Sequence, residues 1–146
     1  MTDAIRKEIL IPQPREQVWQ AITDSDLLAE WMFPNDFLPH IGHHFTFQVP
    51  PNPKARFEGL VVNCEVLACE PPSRLAFSWS AGGLVNTQVS FRLEPEEEGT
   101  RIFFEHAGFD ISQPWGNQAL RGAESGWTKM LGQLAAVVAA LAAGRK

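Results

Sequence analysis

Apolar and polar residues alternate at the start of the chain, with Ile5, Lys7, Ile9 and Ile11 on one side and Arg6, Glu8 and Leu10 on the other. Successive side chains of a strand point to opposite faces, so this reads as a strand, ended by Pro12 and Pro14. Pro14-Arg15-Glu16 opens a short helix with Val18 and Ile22 on one face and Trp19 beside them. Asp24 or Ser25 can cap a second short helix carrying Leu27, Leu28 and Trp31. Phe33 to Gly42, with two prolines, reads as a loop.

Strand periodicity then takes over. Phe45, Phe47 and Val49 share a face, and Phe57 to Glu70 is a run of β-formers closed by Pro71-Pro72. Leu75, Phe77 and Trp79 alternate with Ala76 and Ser78, and Thr87, Val89, Phe91 and Leu93 alternate with Gln88, Ser90 and Arg92. Such clean alternation means one wet face and one buried face. Pro95 to Gly99 makes an acidic hairpin turn, after which Thr100, Ile102, Phe104 and His106 alternate with Arg101, Phe103 and Glu105.

The last quarter changes period. Leu120, Trp127, Leu131, Leu134, Val138 and Leu141 form one stripe of a long helix over about residues 116–143, widened by Ala123, Met130 and Val137. Gly144 ends it, and Arg145-Lys146 sit where a helix C-terminus favours cations. The predicted order is strand, two short helices, about six strands and one long helix. An antiparallel sheet with one apolar face needs a cover, and the long helix supplies it. Residues 1–146 therefore read as one α+β domain.

Composition narrows the function. The 146 residues carry ten Phe and five Trp but no Tyr, so the aromatic mass is almost free of hydroxyls and suits a core or an apolar pocket. A net charge of −5, with no run of basic residues, argues against a nucleic-acid partner. Met1 to Leu10 does not resemble a signal peptide, and Leu131 to Ala143 is too short for a membrane span. Cys64 and Cys69 stand an odd number apart in one predicted strand and so point opposite ways, which favours reduced thiols and a cytoplasmic setting.

The chain resembles the START-like (SRPBCC) helix-grip superfamily. Within it, the likeness is to the branch named after the activator of the heat-shock-protein-90 ATPase. The residues that carry the resemblance are Pro14, Val18, Trp19, Ala21, Ile22, Thr23, Leu27 and Trp31, then Pro72, Arg74, Leu75, Phe77 and Trp79. Gly99, Thr100, His106, Gly108, Gly126, Trp127 and Leu131 continue it over nearly the whole chain. The double glycine usual before the second strand is replaced by His40-Ile41-Gly42-His43-His44. The resemblance implies a curved antiparallel sheet gripping the C-terminal helix around an internal cavity. It does not fix the chemistry, because fold does not dictate function.

His106 shares its face with Ile102 and Phe104, which points it at the helix. It could orient a ligand or act as a general base, or be a core histidine satisfied by backbone or water. Trp31, Phe33, Phe47, Trp79, Val89, Phe104, Trp115, Trp127, Met130 and Leu131 are the other candidates for lining a ligand site, and for each of them plain core packing is the competing reading. His43 and His44 are adjacent and point apart, so no metal and no cofactor is expected. The expected function is binding of a small hydrophobic molecule between sheet and helix. The alternatives are a protein-interaction or chaperone-regulating domain and a cyclase- or hydrolase-like enzyme using His106. Monomer and homodimer both stay open.

Overall fold

The structure, a computed structural model, describes residues 2–51, 59–81, 85–110, 112 and 114–144; for Thr2, Ala81, Val85 and residues 115–117 it describes the backbone only. Strand β1 (Thr2–Ile11) leads into helices α1 (Arg15–Thr23) and α2 (Ser25–Trp31). Five strands follow: β2 (His44–Val49), β3 (Leu60–Glu70), β4 (Arg74–Ala81), β5 (Val85–Glu96) and β6 (Gly99–Asp110). Helix α3 (Pro114–Ala142) closes the fold. Against the expected number of about six strands after the helices, the described residues form five, and α3 begins two residues earlier than expected. The stretch from Phe57 to the start of β3 falls mostly on residues outside the description.

The six strands form one antiparallel sheet in the order β1-β6-β5-β4-β3-β2. Two irregularities bend it: β1 skips Gly108 between Asp3 and Ala4, and β3 shifts register between Val66 and Ala68. Such bulges increase local twist and curl a strand. α3 lies across the concave side and buries Trp127, Leu131, Leu134 and Val138 of the stripe read from its periodicity, with Leu120 and Leu141 at its ends half-buried. Large apolar side chains contribute roughly 1.5–3 kcal/mol each on burial, so this helix is part of the core before it is anything else.

Local chemistry explains the joints. Asp24 caps α2, its carboxylate accepting from the backbone N–H of Asp26 and Leu27 at 2.9 and 3.1 Å. The β5–β6 hairpin turns at Glu97-Glu98 with Gly99 at φ +144°, and a Cβ there would overlap the Ile11 carbonyl oxygen. The Thr100 hydroxyl donates to the Gln13 carbonyl at 2.7 Å, fixing that hairpin to the end of β1. Cys64 is buried and Cys69 half-buried, both as free thiols. No helix among the described residues is long and apolar enough to cross a membrane.

Candidate functional site

Strand alternation sets Trp79, Thr87, Val89, Phe104 and His106 on the concave face of three neighbouring strands. The register pairs Trp79 with Thr87, Val89 with His106 and Phe91 with Phe104. From α3, Trp127 descends onto this surface, its ring 4.4 Å from that of Phe104 and 5.7 Å from that of Trp79. Phe47 of β2 reaches Trp79 at 5.6 Å. The bulge at Gly108 turns Phe109 inward, and its ring lies 4.6 Å from the imidazole of His106.

His106 is buried, and both of its nitrogens are engaged. Trp127 Nε1–H donates to Nδ1 at 2.9 Å. An indole nitrogen only donates, so Nδ1 is the acceptor and the ring proton sits on Nε2. That proton goes to Thr87 Oγ1, 2.6 Å away, and the Thr87 hydroxyl in turn donates to the Trp79 carbonyl at 3.0 Å. The result is a directed chain from Trp127 through His106 and Thr87 to the backbone of β4. Burial pushes the imidazole pKa down from 6.5 to about 3, so the ring is neutral. The lone pair a general base would need is already occupied by Trp127. Side chains of this protein, rather than water or a ligand carbonyl, partner the imidazole.

The other residues predicted from sequence divide into groups. Phe47, Trp79, Phe104 and Trp127 join His106 in one aromatic cluster, with Val89 buried beside it on β5. Trp31 is fully buried, donates Nε1–H to the Ala21 carbonyl at 2.9 Å and packs edge-on against Phe91, so it locks α2 to the sheet. Met130 and Leu131 are buried on α3, and Phe33 is half-buried just past α2. The side chain of Trp115 lies outside the described residues. Sequence reasoning missed Thr87 and Phe109. Thr87 was signalled by being the polar member of the inward set on β5, and Phe109 by a glycine inside a strand, which marks a bulge.

Burial along α3 is uneven. Trp127, Leu134 and Val138 are almost fully covered, whereas Leu120 and Ala123, on the same stripe nearer the N-terminus, are only partly covered. Trp79 is half-buried too, although Phe47, His106 and Trp127 around it are closed off. These side chains are thus partly open to solvent, as is Leu141 at the other end of the stripe. Open grooves lie elsewhere, among them one of about 550 Å³ on the outer sheet face around Arg6, Arg92 and Phe103 and one of about 540 Å³ between β1 and α3 around Ile9, Leu131 and Gly132. Neither is lined by Trp79, His106 or Trp127.

The histidines at the start of β2 diverge. His43 stacks on Phe45 with Nε2 2.9 Å from the Asp36 carbonyl, while His44 is exposed and 3.9 Å from Glu65. Among the described residues no group of three His, Cys, Asp or Glu side chains is placed to hold a metal ion.

Known structures share this architecture. Protein MLL2253 from Mesorhizobium loti is 31% identical over 93% of this chain and 96% of its own, with a TM-score of 0.83. CalU16 from Micromonospora echinospora is 27% identical over 94% of this chain and 75% of its own, with a TM-score of 0.70. DynU16, from the dynemicin biosynthetic locus, is 25% identical over 98% of this chain and 48% of its own, with a TM-score of 0.77. No curated protein matches the chain. The family described as activator of Hsp90 ATPase homolog 1-like protein matches residues 12–139. With its six-stranded helix-grip architecture, the chain belongs to that family, within the START-like (SRPBCC) superfamily.

Proposed function

We propose that the domain binds a small hydrophobic molecule at the end of its interior bounded by Trp79, Leu120 and Ala123. The observation that carries this reading is a Trp79 left half-buried among closed-off Phe47, His106 and Trp127, with Leu120 and Ala123 of α3 only partly covered. An apolar ligand there would cover surface that the protein leaves to water, each Å² contributing roughly 25 cal/mol. DynU16 and CalU16 add support through shared architecture alone. Binding is favoured over catalysis by His106 because the imidazole has no free lone pair. The test is equilibrium dialysis against 2-ethylnaphthalene. Saturable binding that Trp79→Ala weakens at least tenfold is expected; no saturable uptake by the wild type refutes the reading.

One observation favours a second reading, a protein-interaction domain. Leu38, Ile41 and Leu67 are 50%, 69% and 39% exposed. They lie on two stretches joined by Gly42 N–H to the Val66 carbonyl and Val66 N–H to the His43 carbonyl. An exposed apolar patch is what such a domain presents to a partner, and the family's description names a chaperone activator. Ile41→Asp with Leu67→Asp would abolish partner capture while leaving 2-ethylnaphthalene uptake intact; capture that survives both substitutions excludes this face.

A further inference from the structure

A histidine beside an apolar ligand site ordinarily offers the ligand one hydrogen bond. Here the chain of donors runs one way and every proton in it is committed. Trp127 Nε1–H is given to His106, His106 Nε2–H to Thr87, and the Thr87 hydroxyl proton to the Trp79 carbonyl, over 2.9, 2.6 and 3.0 Å. Thr87 keeps one lone pair and no donor. The neighbours of the imidazole are rings, with Phe109, Trp79 and Trp127 at 4.6, 5.4 and 6.0 Å and Ile5 opposite it on β1. Thr100 is the third polar residue buried among those described, and its hydroxyl is given to Gln13 at the far end of β6.

Resting on the ligand reading above, we propose that Thr87 sets the polarity of what binds: by taking the Nε2 proton of His106 it removes the donor that a ligand carbonyl would use, so the site selects hydrocarbon-like molecules over carbonyl-bearing ones of the same shape. A buried carbonyl that finds no donor loses its hydration uncompensated, whereas an alkyl group in the same place loses nothing. Thr87 is thus a specificity-determining residue that acts through His106. Serine at this position would keep the chain intact. Alanine would free the Nε2–H and leave room beside it for a ligand oxygen.

The probes are 2-ethylnaphthalene and 2-acetylnaphthalene, which share a shape and differ in one carbonyl. Equilibrium dialysis measures both against wild type, Thr87→Ser and Thr87→Ala, and ¹⁵N spectra report which His106 nitrogen carries the proton. Wild type is expected to prefer the ethyl compound at least tenfold, with the His106 proton on Nε2. Thr87→Ser is expected to keep that ratio and Thr87→Ala to lower it at least fivefold, as the freed Nε2–H bonds the ketone. An unchanged ratio in a folded Thr87→Ala protein overturns the proposal. If that variant does not fold, wild type alone decides: equal affinity for the two probes, or a proton on Nδ1, overturns it. Uptake of neither probe by wild type overturns the ligand reading itself, a result distinguishable from an altered or unaltered ratio.

Discussion

Acid should unfold this protein partly through a single imidazole. Burial holds the His106 pKa near 3 in the folded state, against 6.5 when the ring is in water. Between those values the unfolded chain takes up a proton that the folded chain refuses. The contribution is therefore intact above pH 6.5 and is lost progressively as pH falls toward 3. Going from about pH 7.5 to about pH 5 crosses roughly 1.5 units of this window, at ~1.36 kcal/mol per unit, or about 2 kcal/mol. Against a net stability of roughly 5–15 kcal/mol that is readily measured. Asp110 and Glu96, held below the usual carboxylate range by hydrogen bonds from Ser112 and Arg101, lose their contributions in more acidic solution. Urea midpoints at the two pH values, for wild type and His106→Gln, isolate the imidazole, because glutamine keeps a donor and an acceptor but does not titrate. Wild type should lose about 2 kcal/mol and the variant less than half of that. Equal losses in the two proteins, or a His106 resonance titrating near 6.5, would refute the reasoning.

Trp127→Phe keeps the ring but strands the Nδ1 lone pair of His106, and urea unfolding should show a cost of roughly 1–3 kcal/mol. Trp127→Ala should cost roughly 3–5 kcal/mol; a loss below about 1 kcal/mol would mean the indole does not hold the helix to the sheet. Gly99→Ala drives a Cβ into backbone, where nothing can rotate away, so a loss of at least ~3 kcal/mol or insoluble expression is expected, and a melting temperature equal to wild type would contradict the hairpin's placement. Asp24→Ala leaves the first turn of α2 uncapped and should cost ~1 kcal/mol in the same assay.

Much of this was legible in the sequence because period and burial coincide. The alternation of β5 and β6 and the stripe of α3 name the concave face and its cover residue by residue, and of the two caps offered for α2, Asp24 and Ser25, the structure uses Asp24. What could not be read was pairing across strands. Nothing in the order of residues says that Thr87 stands opposite Trp79, or that an indole from a helix 21 residues further on reaches His106. Trp31 shows the opposite limit. Its aromatic character suited a ligand wall as well as a core, and only its bond to the Ala21 carbonyl decides for the core. Phe109 eluded a period-two reading because Gly108, with φ +101°, inserts a residue and reverses the parity beyond it.

The sheet has two free margins, and each is guarded against polymerisation in its own way. At β2, Asn35 bridges to Phe47 and the Gln48 N–H is already spent on the Pro34 carbonyl, so little backbone is left to template a foreign strand. At β1 the guard is a charge. Lys7 stands opposite Phe104 in the register and so points to the concave side, where its ammonium lies 4.0 Å from Glu124 of α3. A strand from another molecule adding to β1 would bury that ammonium beneath itself, a penalty natural sheets use to stay soluble. Lysine in the middle of an otherwise isoleucine-lined strand thus reads as a safeguard against fibre formation, and replacing it with another isoleucine would leave β1 a uniformly sticky margin.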